Sequence, residues 1–163
     1  MVSSLIARSS YQIDSFAAES QVRSALKSIN AKPVQVSAKH WLSTALMTHV
    51  GNNRIKQAEP YLMSEYNGSW SNVPPSEVLD RVFGIDALIS YRGWTIAIDI
   101  TLDDRQTVDK ANKQRQLSSL YSELGIDLAV VLVVPEDCSP EYLQTNIRQA
   151  LSRVIAGESV VYL

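Results

Sequence analysis

The stretch Gly84-Ile-Asp-Ala-Leu-Ile-Ser-Tyr-Arg-Gly-Trp-Thr-Ile-Ala-Ile-Asp-Ile-Thr101 decides the fold, because apolar residues alternate at strand period on both sides of Arg92-Gly93. Ile85, Ala87, Ile89 and Tyr91 share one face of the first arm. Trp94, Ile96, Ile98, Ile100 and Leu102 share one face of the second. A two-residue loop sets Tyr91 opposite Trp94 and carries the pairing down to Asp86 opposite Asp99. A four-residue loop keeps that register, whereas a three-residue loop with Gly93 in a bulge breaks it.

Carboxylates facing each other across a strand pair, with Cβ atoms about 4.5–5.5 Å apart, repel and call for compensation. Mg²⁺ or Mn²⁺ would supply it, since hard divalent cations take carboxylate oxygens and keep several waters that a phosphate can displace. The alternative is that both acids sit at frayed strand ends or pair with Arg92, Arg105 or a lysine.

Outward from the hairpin, Asp103 or Asp104 caps a long helix running to about Leu124, with Gly125 as its stop. Leu117, Leu120, Tyr121 and Leu124 form the apolar stripe of its second half. Gln106, Lys110, Lys113 and Gln114 share a face of its polar first half, which begins a few residues after Asp99 and can fold back over the acids. The valine-rich run from Ile126 to Val134 reads as a central strand covered on both faces. Ser139-Pro140-Glu141 opens a last helix ended by Gly157, and Val160 to Leu163 closes the chain as an edge strand.

Upstream, residues 1–13 read as an arm or edge strand. Asp14 or Ser15 then caps a helix with Val22, Ala25, Leu26 and Ile29 on one face, ending by Asn30 and Pro33. Ser37 caps a second helix in which Ala38, Trp41, Leu42, Ala45 and His49 share a face and Gly51-Asn-Asn is the stop. The signal weakens from Arg54 to Val73, where Pro60 to Tyr66 fits a strand or a helix end. A short helix from Ser76 to Gly84 competes with a strand running into the hairpin.

With 163 residues the chain suits one domain, 1–163, carrying an N-terminal helical extension to about residue 36. Hydrophobic residues at 45% and charged residues at 20% are ordinary for a globular protein, and no apolar run approaches the ~20 residues needed to span a bilayer. The start has neither a basic segment nor a long apolar one, so cytoplasmic residence with no membrane partner is expected. The single cysteine, Cys138, excludes an internal disulfide and paired-cysteine zinc sites. The net charge of −2 gives no general attraction for nucleic acid, so such a role needs a local basic face.

Asp86 at the start of one hairpin strand, Asp99-Ile100-Thr101 on the next, then a helix and a valine-rich strand resemble the PD-(D/E)XK, restriction-endonuclease-like superfamily. The resemblance covers residues 78–135, with 37–50 as the family's leading helix. It implies an α/β fold in which a mixed sheet, an antiparallel hairpin plus a central strand, is flanked by helices. It also implies metal-dependent phosphodiester hydrolysis, with DNA the expected substrate. Asp86 matches the family's first aspartate and Asp99 the acid of (D/E)XK, both as ligands of Mg²⁺ or Mn²⁺. Thr101 stands at the lysine position, offering a hydroxyl to a water but no charge, and the resemblance hands the lysine's role to Lys110 or Lys113 with Gln106 or Gln114 as helpers. An upstream acid, Glu59 or Glu65 before Glu19, would complete the metal shell. Loss of the motif lysine equally fits a non-catalytic nucleic-acid-binding or assembly subunit, as a homo-oligomer or within a larger complex. Tyr61, Tyr66, Trp70 and the nearby prolines offer a third reading, an apolar surface for a protein partner.

Overall fold

A computed structural model of the chain describes residues 17–135 and 138–163. The expected arm over 1–13 and the cap at Asp14 or Ser15 lie outside the described residues. The hairpin forms as read. Strand β2 (Ala87–Tyr91) and strand β3 (Trp94–Thr101) pair antiparallel with Tyr91 opposite Trp94. Arg92 at φ 50° and Gly93 at φ 82° make the two-residue turn, both left-handed as a tight hairpin with matching twist requires. The ladder runs to Ala87 opposite Ile98 and stops one residue short of Asp86. There the chain bends, and the Asp86 N–H donates to the carbonyl of Ile98. The bend interrupts the alternation, so Ile85 joins the core on the opposite side of the sheet from Ile89 and Tyr91.

Three more strands complete one mixed sheet in the order β1-β2-β3-β4-β5. The two-residue β1 (Lys32–Pro33), too short to leave a sequence pattern, pairs antiparallel with β2. Strand β4 (Leu128–Val133) runs parallel to β3, and β5 (Val160–Tyr162) runs parallel to β4 at the far edge. The valine-rich strand is therefore interior, but the middle place expected for it belongs to β3, because β1 extends the hairpin side.

Helices cover both faces. Helix α1 (residues 17–28) and helix α7 (Pro140–Ile155) pack on Ile96, Ile98, Ile100, Val130 and Leu132 through Val22, Leu26, Leu143, Ile147 and Leu151. The helix of the N-terminal extension is thus an integral layer of the core. The other face carries α2 (Ala38–Leu46), α3 (His49–Glu65), α4 (Pro75–Arg81), α5 (Thr107–Gln116) and α6 (Ser118–Glu123). Its core gathers Trp41, Ile55, Leu62, Val78, Phe83 and Leu120 over Leu88 and Ala97. The expected single long helix is broken at Leu117 into α5 and α6, after a 3₁₀ turn at Asp104–Gln106.

Gly51 is not a stop. Helix α2 begins at the Ser37 cap as expected but ends at Leu46, and Thr48 caps α3, accepting the Gly51 N–H at 2.9 Å. Gly51 is buried in the first turn of α3, where a Cβ would lie 2.2 Å from the carbonyl oxygen of Ala45. Glycine serves close approach here. His49 consequently leaves the apolar face of α2 and sits exposed beside Asn53. The weak region resolves as helix: α3 continues through Pro60 to Glu65.

Candidate active site

The site lies where β3 runs into α5. Asp99 points from β3 to the helix side opposite Ile98 and Ile100 and is 3% exposed, a carboxylate that burial would make costly without cations. Helix α5 supplies two. Lys110 Nζ donates to Asp99 Oδ1 at 2.9 Å and lies 3.4 Å from the Ile100 carbonyl, while Lys113 Nζ stands 3.2 Å from Asp99 Oδ2. Three residues apart, these lysines share a helix face, and both keep about a quarter of their side-chain surface exposed, at 23% and 27%. Lys113 approaches off the hydrogen-bonding direction, so Oδ2 is buried and accepts no aligned hydrogen bond.

Asp86 comes to the same spot from the bend before β2. Its Oδ2 accepts the Ile100 N–H at 2.7 Å, and its carboxyl is within hydrogen-bonding reach of Asp99. Burial first, then that contact with Asp99, push the Asp86 carboxyl up to about 8 against the pull of the Ile100 N–H. Burial thus favours the protonated form of Asp86, whose carboxyl lies close enough to Asp99 for the two to share that proton.

Several groups fix this geometry. Gln114, buried at 6% exposure, donates Nε2 to the Val130 carbonyl at 2.9 Å and ties α5 to β4. The buried Thr101 hydroxyl donates to the Asp103 carbonyl and accepts the Asp103 N–H, both at 3.1 Å, with Gln106 Oε1 at 3.4 Å. Thr101 thus holds the turn between β3 and α5. Asp103 caps the following 3₁₀ turn and is held below the usual carboxylate range by the Arg105 side chain. On the far side, Arg54 Nε donates to the Val82 carbonyl at 2.9 Å and the Tyr121 hydroxyl to that of Phe83, securing the loop that presents Asp86. Sequence reasoning missed both bonds, because the partners lie 28 and 38 positions away, and it read Tyr121 only as part of the apolar stripe of its helix.

Gly84 has a second role in that loop. It adopts φ 65°, and a Cβ there would meet Lys113 Cε at 2.7 Å and Nζ at 2.8 Å, so the lysine stem crosses the glycine on its way to Asp99. Gly84→Ala should lose about 1 kcal/mol to left-handed backbone strain and push Lys113 off Oδ2. Urea unfolding measures the first effect. The second should appear as a loss larger than that of Ala at Gly93, which is also left-handed (φ 82°) but has open space around it.

The expected residues do not all converge. Asp86, Asp99, Lys110 and Lys113 come together, whereas the Thr101 hydroxyl is bonded to Asp103 and Gln106 instead. Glu59 and Glu65 are exposed on α3, and among the described residues no group of three or more His, Cys, Asp and Glu side chains is placed to hold a metal. Glu19 on α1 is the upstream acid within the field of the site: burial raises its pKa, and the charges of Asp80, Lys110 and Asp99 act on it. Of the expected aromatic surface only Tyr61 is well exposed, at 70%, because Tyr66 and Trp70 pack against the second core. No helix among the described residues is long and apolar enough to cross a membrane. No family model, curated protein or solved structure matches the chain.

Proposed function

We propose that the chain is a metal-dependent nuclease of the restriction-endonuclease-like kind, hydrolysing phosphodiester bonds with DNA as the expected substrate. The observation that carries this reading is the convergence of Lys110 and Lys113 on Asp99, beside Asp86. With Asp86 protonated, one carboxylate faces two ammonium groups. That positive balance suits a phosphate and is more than a single structural ion pair requires. The donor set would also fit Mg²⁺ or Mn²⁺ once the cation displaces the Asp86 proton, because the Asp86 and Asp99 carboxylates and the Ile100 carbonyl are hard oxygen ligands and Oδ2 of Asp99 is a buried acceptor with no aligned hydrogen bond. Such an ion supplies Lewis-acid polarisation of a phosphate oxygen and a lowered pKa for water. Lys113, braced over Gly84, holds positive charge where charge develops on the phosphate, and Gln114 keeps α5 at the depth this requires.

The test is cleavage of single-stranded, double-stranded and branched DNA and of RNA with Mg²⁺ or Mn²⁺. Lys113→Met should lower turnover by about 10²-fold, and Asp99→Ala should abolish both cleavage and Mn²⁺ binding. A second reading is favoured by Thr101, whose hydroxyl is engaged in the turn: a non-catalytic nucleic-acid-binding or assembly subunit. Absence of metal-dependent cleavage of every substrate, with retained binding of one of them, would select it.

A further inference from the structure

We propose that Lys110 is an internal counter-ion occupying the place of the divalent cation, and that cation and ammonium are alternative occupants of the same oxygens. The inference rests on the metal site of the proposed function and adds a role for one of its lysines. Lys110 Nζ bonds Asp99 Oδ1 at 2.9 Å and lies 3.4 Å from the Ile100 carbonyl, and both atoms belong to the oxygen set that would bind the metal. Lys113 differs. It addresses only Oδ2, and its stem is lodged over Gly84. Lys110 can also leave the site toward solvent, since it keeps 23% of its side chain exposed. The buried Asp99 is thereby neutralised without metal.

The arrangement makes removal of Lys110 favour the cation, the reverse of what deleting a ligand or a supporting residue does. Mn²⁺ titration calorimetry on the full chain at pH 7 should show Lys110→Met binding about tenfold or more tighter than the parent, since one positive charge leaves the binding oxygens. Lys110→Gln, which keeps an N–H for Ile100, should also bind tighter, while Lys110→Arg should stay near the parent and Asp99→Asn should not bind. Without metal, Lys110→Met should melt below the parent, and saturating Mn²⁺ should raise its Tm by more than it raises the parent's. Binding by Lys110→Met where the parent shows none would support the proposal equally. A parent that binds Mn²⁺ while neither neutral variant binds it tighter would overturn the role of Lys110 and leave the metal site standing. No binding by the parent or any Lys110 variant would overturn both.

Discussion

Asp99→Asn should destabilise the metal-free protein by about 3 kcal/mol at pH 7, whereas Asp86→Asn should leave it more stable than the parent, although the two substitutions are chemically the same. Asp99 is the counter-charge of Lys110 and Lys113, and removing one member of a buried ion pair strands the others at a cost of about 3–5 kcal/mol. The exposed fraction of both lysines lets water relieve part of that penalty, which sets the expectation at the low end. Asp86, with its carboxyl pushed up to about 8, folds at pH 7 only by taking up a proton that the unfolded chain does not hold, a cost that asparagine is spared. An asparagine there accepts the Ile100 N–H and donates to Asp99 as the protonated acid does. Urea unfolding at pH 7 with a chelator present compares them directly. Equal losses would mean that Asp86 is ionised and the assignment of the proton is wrong.

The same proton gives the protein an unusual response to pH. For a carboxyl whose pKa is raised on folding, the native state binds more protons than the unfolded chain between the two pKa values, so stability falls as pH rises. With about 8 folded and an ordinary value of 3.8 unfolded, the contribution of Asp86 is fully present below pH 4, declines through pH 4–8 and is absent above. The slope approaches about 1.4 kcal/mol per pH unit where one proton separates the states. Asp103 slopes the opposite way at acid pH because its pKa is lowered by the Arg105 side chain. The clean measurement is therefore the difference between parent and Asp86→Asn, followed by denaturant unfolding from pH 5 to pH 9. The advantage of Asp86→Asn over the parent should grow steadily up to about pH 8 and then level off. A difference independent of pH would show that Asp86 titrates normally.

What was legible in the sequence was whatever local periodicity controls. Alternation around Arg92-Gly93 follows a two-residue turn with both residues left-handed, so the strands and their register from Tyr91–Trp94 to Ala87–Ile98 were readable, whereas the bend that takes Ile85 and Asp86 out of the ladder was not. The i, i+3 spacing of Lys110 and Lys113 was equally readable, and proximity in sequence brought that face to Asp99. Features of tertiary origin were not. Gly51 looks like any helix-ending glycine until the Ala45 carbonyl is seen against it, and Gly84 shows its second purpose only when Lys113 crosses it. Glu19 ranked behind Glu59 and Glu65, since nothing in its own helix reveals that its charge reaches Lys110 and Asp99. Strand β1, two residues long, offers no period at all.

That shortest strand has a consequence for how the molecule keeps to itself. An exposed sheet edge is a template on which a neighbouring chain can add its own strand, the first step toward aggregates. Here the edge beside the hairpin ends in Lys32 and Pro33. A lysine brings charge that resists being sandwiched, and a proline offers no N–H to an incoming backbone. Among the described residues, these two cover Ile89 and Ser90 of the longer β2 and themselves offer little that another copy can zip onto.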